Sequence, residues 1–330
     1  MSAAHDRADL AGPALVTGTR ESARDVAPRP PEARDPRAVA REDPAALVDS
    51  RHVAEALVPA VCALCRDDFG VPVAVGANFA DPDDAASYLV LRCRQCRLLY
   101  LSPRPASVPR SGADPDVGRI LGAWLRDGPR GVGQGGRVLA AGLGAALAPA
   151  AMAGVPAAVG RRWHVDAGSL EAAMPAAYDA VVFAGTLERF DDPVATLSEA
   201  RAALRRGGFV VVIGPNAAGP AARLYAGRYW AGYDFPRRRY FFDATTLRAA
   251  AARAGLDVER LTTRVDGDCW ARSLDYLLAD VGGDRHPAER AEEGHRTSRT
   301  LLRALGTALD AGLALVGRGA RLHATLRPRA

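Results

Sequence analysis

The sequence predicts an α/β protein, in which a mostly parallel sheet carries helices on both faces and follows a small cysteine-rich module. Two observations support this prediction. Residues 179–184 and 209–213 are short apolar runs on either side of a helical pattern. Such a crossover joins parallel strands whose sheet is covered on both faces. Ahead of these runs, two Cys-x-x-Cys pairs indicate a metal-binding module.

The composition is that of a globular protein with an excess of arginine. The chain has 330 residues, 48% of them hydrophobic, and its net charge of +5 comes from arginine, since lysine is absent. Abundant Ala, Gly and Pro indicate GC-rich codon usage as the source. Nucleic-acid binding is the weaker alternative, because basic charge alone signals non-specific attraction. No apolar run reaches membrane-spanning length, and none follows a basic start as in a secretion signal. We therefore expect a cytoplasmic protein without a membrane span.

Residues 1–50 are predicted to be a disordered tail. They are rich in Ala, Arg, Asp and Pro and show no periodic apolar face. Such a segment cannot bury enough apolar surface to offset the entropy lost on ordering.

The cysteine pairs predict a structural zinc site within residues 51–106. The ligands would be Cys62, Cys65, Cys93 and Cys96. Four thiolates suit tetrahedral zinc and leave no open position, so the ion would be structural rather than catalytic. Two disulfides or unliganded thiols are the alternatives, which a reducing compartment disfavours. Cys269 lies far away in the sequence and is predicted to be a small core residue.

The sheet domain is predicted to begin with a helix and a short strand. The helix presents an apolar face made of Val117, Ile120, Leu121, Trp124 and Leu125. The strand, residues 137–141, ends in Gly142-Leu143-Gly144. Glycines in such a turn let backbone amides approach a ligand closely.

The segment between the strand at residues 137–141 and the apolar run at residues 179–184 is short. Residues 157–160 are a candidate second strand, and residues 163–165 are a candidate third strand. No acidic residue occurs between Asp127 and Asp166.

The crossover helix has clear boundaries. Asp192 is a good N-cap, and Pro193 suits the first helical position. Residues 207–208, Gly-Gly, are predicted to end the helix, with arginines in its last turn.

The remaining chain alternates between aromatic, helical and strand patterns. Residues 223–242 are the most aromatic stretch, and Asp243 then caps a helix. A strand is predicted at residues 257–264, helical segments at 274–281 and 301–316, and a final strand at 321–327.

Together these motifs resemble bacterial class I S-adenosylmethionine-dependent methyltransferases, of the type 11/12 group, that carry an N-terminal zinc ribbon. Leu187-Glu188-Arg189 stands where that family has Leu-Glu-His, and residues 204–208 stand where it has LRPGG. Residues 98–105, LLYLSPRP, are similar to the tail that follows the family's zinc ribbon. The resemblance implies a Rossmann-like sheet of seven strands.

The resemblance also implies a cofactor site for S-adenosylmethionine at the ends of these strands. Its residues would be Gly142, Gly144, Gly168, Ser169, Leu170, Thr186 and Leu187. Ala140 stands where the family has an acid, and the acid that usually holds the ribose after the second strand is missing.

The same resemblance places the acceptor chemistry near residues 186–189 and in the aromatic stretch. The candidate catalytic residues are Glu188, Arg189, Tyr233 and Tyr240. Arg189 replaces the family's histidine, and guanidinium is a poor base, so Glu188 or a tyrosine would act if a base is needed. Arg238 and Phe241 replace two further histidines. A hydrophobic lid or interface remains the alternative interpretation of the aromatic stretch.

The sequence thus predicts S-adenosylmethionine-dependent methyl transfer to a small-molecule acceptor. The replaced residues support an alternative, in which a degenerate methyltransferase fold serves as a zinc-ribbon binding scaffold. A nucleic-acid methyltransferase is less supported, because no RNA-binding platform is recognisable. The predicted divisions are a tail at 1–50, a ribbon at 51–106, a methyltransferase domain at 107–265, and its closing helices and strand at 266–330.

Overall fold

The computed structural model describes residues 57–79, 84, 86–106, 115–127, 135–143, 153, 163–281 and 296–329. These residues belong to one compact unit within residues 42–330. The predicted tail at residues 1–50, Gly144 and the candidate second strand at residues 157–160 lie outside the described residues.

The described elements alternate between strands and helices after a β-rich start. The strands are β1 Leu57–Val58, β2 Gly70–Ala77, β3 Ser87–Cys93, β4 Leu99–Leu101, β5 Arg104–Pro105, β6 Arg137–Ala141, β7 His164–Gly168, β8 Tyr178–Ala184, β9 Leu204–Pro215, β10 Tyr240–Phe241, β11 Leu256–Arg264 and β12 Arg321–Pro328. The helices are α1 Pro115–Asp127, α2 Pro193–Ala203, α3 Pro220–Leu224, α4 Ala244–Arg253, α5 Gly267–Val281 and α6 Arg296–Leu315, with a 3-10 turn at Leu187–Arg189.

The main sheet has the strand order β11-β12-β9-β8-β6-β7. Strands β7, β6, β8 and β9 are parallel, whereas β12 is antiparallel to both of its neighbours. The predicted α/β class with a mostly parallel sheet is confirmed. The described residues contribute six strands to this sheet, against the seven that the resemblance implies.

Strand β7 takes the place of a second strand beside β6, at the edge of the described sheet, rather than that of a third strand. The sequence suggested a third strand at residues 163–165, but β7 pairs directly with β6, from Arg137 opposite His164 to Ala141 opposite Gly168. It therefore occupies the place next to the first strand. As a consequence, the turn after β7 lies beside the glycine turn after β6.

Helices cover both faces of the sheet, as the two-sided apolar pattern predicts. Alternate residues of each central strand point to opposite faces. On one face, α1 packs against residues that include Val138, Val182 and Val211. On the other face, α2 and α4 pack against residues that include Val181 and Val212. The central strands are therefore buried on both sides.

The crossover helix begins as predicted and ends earlier. The Asp192 carboxylate accepts hydrogen bonds from the backbone N–H groups of Val194 and Ala195, both at 3.0 Å. Helix α2 ends at Ala203, and the chain passes directly into β9. Gly207, with φ of +81°, lies within that strand. The arginines expected in the last helical turn at residues 205–206 therefore belong to the strand, and only Arg201 is in that turn.

The cysteine-rich module shares a sheet with the aromatic stretch. Strands β2, β3 and β4 form an antiparallel meander, and β10 of the aromatic stretch adds to its edge by pairing with β4. Tyr240 lies opposite Tyr100, and Phe241 opposite Leu99. This pairing joins the module to the carboxyl edge of the main sheet.

The carboxyl-terminal elements close the fold. Helices α5 and α6 begin at Gly267 and Arg296, earlier than the apolar patterns at residues 274 and 301 indicate. Strand β12 inserts between β9 and β11, as a closing hairpin requires. Within the described ranges, no helix is both long and apolar enough to cross a bilayer.

Candidate functional site

The four predicted metal ligands converge. The sulfur atoms of Cys62, Cys65, Cys93 and Cys96 all lie within 4.8 Å of one another. Cys62 Sγ and Cys96 Sγ are 3.4 Å apart, and all four thiols are free of disulfides. Tetrahedral zinc with Zn–S bonds of about 2.3 Å needs sulfur atoms about 3.8 Å apart. The donor set and spacing therefore fit one such ion.

The two Cys-x-x-Cys turns have the same backbone form. Arg66 donates its N–H to the Cys62 carbonyl at 2.8 Å, and Arg97 donates to the Cys93 carbonyl at 3.1 Å. Arg66 and Arg97 both have positive φ, 59° and 67°. Each turn thus folds back on itself, which directs both of its thiols to one side.

The predicted cofactor turn lies at the carboxyl ends of β6 and β7. Gly142 follows β6 with φ of +80°, and its N–H donates to the Gly168 carbonyl at 3.2 Å. The Thr186 hydroxyl donates to the Ala141 carbonyl at 2.8 Å. Three of the predicted positions therefore meet around the end of the first strand of the sheet. Gly144 lies outside the described residues.

Space beside this turn is open on the β7 side. A Cβ added at Gly168 would meet no heavy atom of the described residues within 4 Å. By contrast, a Cβ at Gly142 would lie 2.9 Å from Thr186 Cβ and 3.0 Å from the Phe190 ring. Gly142 is therefore required by close packing and by its φ, whereas Gly168 borders free volume.

The other predicted cofactor residues differ in their exposure. Ser169 is exposed, and Leu170 and Leu187 are buried among the apolar residues of the main core. The two leucine side chains pack into the core beneath the turns, so only the backbone groups of these residues could face a ligand.

Glu188 is buried at the end of β9. Its residue is only 1% exposed, and its backbone carbonyl accepts from the Arg239 N–H at 2.8 Å. A Cβ at Gly214 would overlap a Glu188 carboxylate oxygen. The glycine therefore makes room for this acid at the carboxyl edge of the sheet.

Arg189 belongs to a buried cluster of charges around Asp234. Arg189 Nη2 lies 3.5 Å from Asp234 Oδ2, and Arg237 Nη2 lies 2.5 Å from Asp234 Oδ1. Burial alone would raise the pKa of Asp234, but the guanidinium groups of Arg238, Arg237 and Arg189 outweigh it and lower that pKa to about 2. Asp234 is therefore ionised at neutral pH.

The two candidate tyrosines lie in different environments. Tyr233 stacks on Phe235 with ring centroids 5.0 Å apart, and burial raises its pKa to about 12. The Tyr240 hydroxyl donates to the Asp191 carbonyl at 2.9 Å, where β10 meets the cysteine-rich module, and burial raises its pKa. Both phenols are protonated at neutral pH, and neither lines the cleft described next.

A small, partly open cleft lies at the carboxyl ends of β8 and β9. Ligands of parallel α/β sheets bind at this edge. Gly185 and Gly214 form its floor, and its charged lining residues are Arg238, Asp266, Arg272 and Arg321. The Arg321 guanidinium donates to one Asp266 carboxylate oxygen through Nε at 3.1 Å and Nη2 at 2.7 Å.

Sequence reasoning missed several residues near the site. Asp266, Arg272 and Arg321 come from the start of α5 and from β12, and no local pattern marked them. Glu171 is exposed in the turn after β7 and is the first acidic residue after that strand. The signal that could have identified Glu171 was the correct place of β7 beside β6.

One protein-family model matches part of the chain. A family model described as "Methyltransferase domain" matches residues 149–261, about a third of the chain. The match begins after the glycine turn and includes β7, β8, β9, α4 and the aromatic stretch. The comparison with curated proteins found no match.

Solved methyltransferase structures are similar at low scores. A S-adenosylmethionine-dependent methyltransferase from Thermotoga maritima is 18% identical with a TM-score of 0.36, covering 64% of this chain and 90% of its own. One from Mesorhizobium loti is 15% identical with a TM-score of 0.35, covering 62% and 96%. A phosphoethanolamine N-methyltransferase from Haemonchus contortus is 14% identical with a TM-score of 0.36, covering 70% and 62%.

Proposed function

We propose that this chain, whose residues 149–261 match a methyltransferase domain model, binds S-adenosylmethionine at the carboxyl ends of β6 and β7 and methylates a small-molecule acceptor. The arrangement of Gly142, Gly168 and Thr186 is the observation that carries the proposal. These groups hold the ends of adjacent parallel strands together and leave open volume beside Gly168. Backbone groups at such a turn can approach a ligand closely.

The residues around this turn supply some of the groups that would bind S-adenosylmethionine. Glu171, which follows the strand beside β6, is the proposed partner of the ribose hydroxyls, in place of the acid that the sequence lacks before Asp166. Ser169 is exposed next to it and can offer a hydroxyl. The buried Leu170 and Leu187 would shape the site from below.

The chemistry requires placement of the acceptor more than activation of the methyl group. When bound, S-adenosylmethionine supplies a methyl carbon whose bond to sulfur breaks as the acceptor's electron pair forms the new bond, and sulfur keeps the old pair. Holding the two reactants in line can supply several kcal/mol of the barrier, on the order of 7–11 at best. The chain's part is to orient the acceptor in the cleft over Gly185 and Gly214.

Glu188 is our preferred base for an acceptor that must lose a proton. It abuts Gly214, which lines the cleft. Arg189 lies within ion-pair distance of Asp234, so we assign it a positioning role. Tyr233 and Tyr240, being protonated, would act only as hydrogen-bond donors, and their catalytic roles stay predictions.

The four cysteines are proposed to hold structural zinc. The ion would stabilise the module whose sheet is extended by β10, and so would support the aromatic stretch at the cleft. Free thiols suit a reducing compartment, which supports a cytoplasmic location.

Calorimetric titration with S-adenosylhomocysteine, the demethylated product, tests the cofactor proposal. Gly168→Val adds bulk to open space without opposing the strand, so the protein should fold while its affinity falls at least about tenfold. Gly312→Ala is the matched control, because a Cβ there also meets no heavy atom within 4 Å, but lies in α6. Its affinity should equal that of the wild type.

If folded wild-type protein gives neither binding heat nor a thermal shift with millimolar S-adenosylhomocysteine, the proposed methyltransferase activity is rejected. That result would favour the scaffold alternative. Ala140 supports this scaffold alternative. It is buried near the end of the first strand, at a position where the resembled family has an acid.

A further inference from the structure

Helix α6 turns its polar side toward the protein and its apolar side outward. On the inner side, Asp310 is fully buried, and its carboxylate accepts a hydrogen bond from the backbone N–H of Asp266 at 2.5 Å. Arg303 Nε lies 2.7 Å from a carboxylate oxygen of Asp268 on α5. A helix at the surface of a globular protein normally has the opposite orientation, with its apolar stripe facing the core. The apolar side of α6 is therefore left without cover by the described residues.

The outward side of α6, which we call its outer face, is apolar throughout. A repeat of 3.6 residues per turn places five large side chains on this side, with alanines and a glycine between them. The large members are Leu301, Leu305, Leu309, Leu315 and Val316. Leu301 and Leu305 are each 60% exposed, and Leu315 is 90% exposed. The outer face therefore presents leucine and valine side chains to water along about 22 Å of helix.

The outer face is large enough to serve as a dimer interface. A fully exposed leucine or valine side chain offers on the order of 100 Å² of apolar surface. The large side chains of the outer face are 53–90% exposed and so offer about 330 Å², to which the small residues add. A standard dimer buries about 800 Å² per partner, of which roughly 480 Å² is apolar. The outer face supplies most of that apolar area, and exposed patches of this size commonly mark interaction sites.

The shape of the outer face is complementary to itself. One row of side chains, at four-residue spacing, forms a ridge of leucines: Leu301, Leu305 and Leu309. The adjacent row forms a groove of small residues: Ala304, Ala308 and Gly312. A Cβ added at Gly312 would meet no heavy atom of the described residues within 4 Å, so the groove is open. The ridge of one copy can therefore pack into the groove of another, and a two-fold symmetric contact requires such a self-complementary patch.

The distribution of charge favours a second copy of the chain over a membrane surface. In a symmetric contact, residues near the two-fold axis meet their own copies, so any charge there would face an equal charge. The outer face has no charged residue. Amphipathic helices that bind membranes carry arginine or lysine on a polar side that faces water and lipid headgroups. The polar side of α6 is turned into the protein instead, where Arg303 is paired with Asp268.

We propose that the outer face of α6 forms the interface of a symmetric homodimer, in which the leucine ridge of each copy packs into the small-residue groove of the other. Dimerisation would remove from water the apolar surface that one copy leaves exposed. The interface would lie beside β11, against which α6 packs, at one edge of the main sheet. This inference does not depend on the proposed methyltransferase function.

Sedimentation velocity of the full-length chain, purified with zinc and measured over a range of micromolar concentrations, tests the proposal. Leu305→Glu places a charge on the ridge, and Ala308→Leu fills the groove without adding charge. Both positions are exposed, so both variants should keep the circular dichroism spectrum of the wild type. The control is Met174→Glu, at a residue of similar exposure, 55%. Met174 lies between β7 and β8, and β7 is at the opposite edge of the main sheet from β11.

We expect wild type and Met174→Glu to dimerise with equal affinity. Leu305→Glu should dimerise at least about tenfold more weakly, because the interface would bury a carboxylate without a partner. Ala308→Leu should also dimerise about tenfold more weakly, because a filled groove no longer admits the ridge. A loss of affinity in Ala308→Leu would separate specific packing from general apolar attraction, which the larger side chain would strengthen.

Three results would overturn the proposal. The first is a wild-type protein that stays monomeric at every concentration. The second is equal dimer affinity in wild type and Leu305→Glu, which would place the interface elsewhere. The third is an Ala308→Leu variant that dimerises as tightly as the wild type. Flotation with vesicles of phosphatidylcholine and phosphatidylglycerol distinguishes the other occupant: a monomeric wild type that floats with the vesicles, while Leu305→Glu does not, would assign the outer face to a membrane surface.

Discussion

Replacing Asp234 by asparagine should destabilise the protein strongly. Asp234 is buried and lies between Arg189 and Arg237, with Arg238 also close enough to lower its pKa. The carboxamide of asparagine cannot ionise. Three guanidinium groups would then share a buried region without their common counter-charge.

The size of the loss follows from two considerations. The pKa of Asp234 is about 2 in the folded protein against an ordinary value of 3.8, which corresponds to about 2 kcal/mol of stability at neutral pH. Removing one partner of buried ion pairs costs about 3–5 kcal/mol. We therefore expect Asp234→Asn to lower the free energy of unfolding by about 3 kcal/mol, or Tm by roughly 6–12 °C.

Urea unfolding at several pH values measures this effect. Because the folded-state pKa is lowered, the stabilisation is fully present above pH 3.8 and is lost as the pH falls toward 2. The difference between wild type and Asp234→Asn should therefore be constant from pH 5 to 8 and narrow in acid. Asp257→Asn, which removes an exposed partner of Arg329, is the control and should change little. Equal stability of wild type and Asp234→Asn at pH 7 would refute the reasoning.

Three further predictions concern the proposed metal site, a close packing contact and a half-buried histidine. Cys93→Ser should lower the zinc content from about one ion per chain to near zero and should lower Tm. Cys269→Ser is the control and should keep its zinc. Equal metal content in the two variants would contradict the assigned ligands. Gly214→Ala should cost about 1–3 kcal/mol in urea unfolding, because its Cβ would displace the buried Glu188 carboxylate, and an unchanged midpoint would show that the acid moves freely. Burial lowers the pKa of His323 to about 4, so its stabilisation, up to about 3 kcal/mol, is present above pH 6.5 and lost as the pH falls toward 4. His323→Gln should flatten that part of the pH profile of stability.

Local features of the fold were predictable because short-range chemistry decides them. Asp192 and Asp243 cap their helices through backbone N–H groups two or three residues away. The continuous apolar runs in β8 and β9 indicate burial on both faces directly. The end of α2 was less predictable, since Gly207 can end a helix or lie within a strand at positive φ, and pairing of Leu204 with Tyr178 favours the strand.

Only those parts of the candidate site that lie within short local turns could be predicted from the sequence. The four cysteines form two repeated turns, so their convergence followed from spacing. Gly142 and Thr186 were identified by resemblance, and the structure brings them together. The charged wall of the cleft was not predictable, because Arg238 and Arg321 are far apart in sequence and meet only when β12 inserts beside β9.

The sequence by itself determined the α/β class, the order of elements and the candidate metal ligands, since periodicity, caps and turn spacing act over a few residues. Tertiary structure alone decided that β7 neighbours β6, that β10 extends the sheet of the cysteine-rich module, and that arginines from three segments face one cleft. Strand neighbours and the charge balance of a cleft depend on which distant segments share the sheet edge. Their energies arise from burial and Coulomb interactions across long sequence separations, which no local pattern encodes.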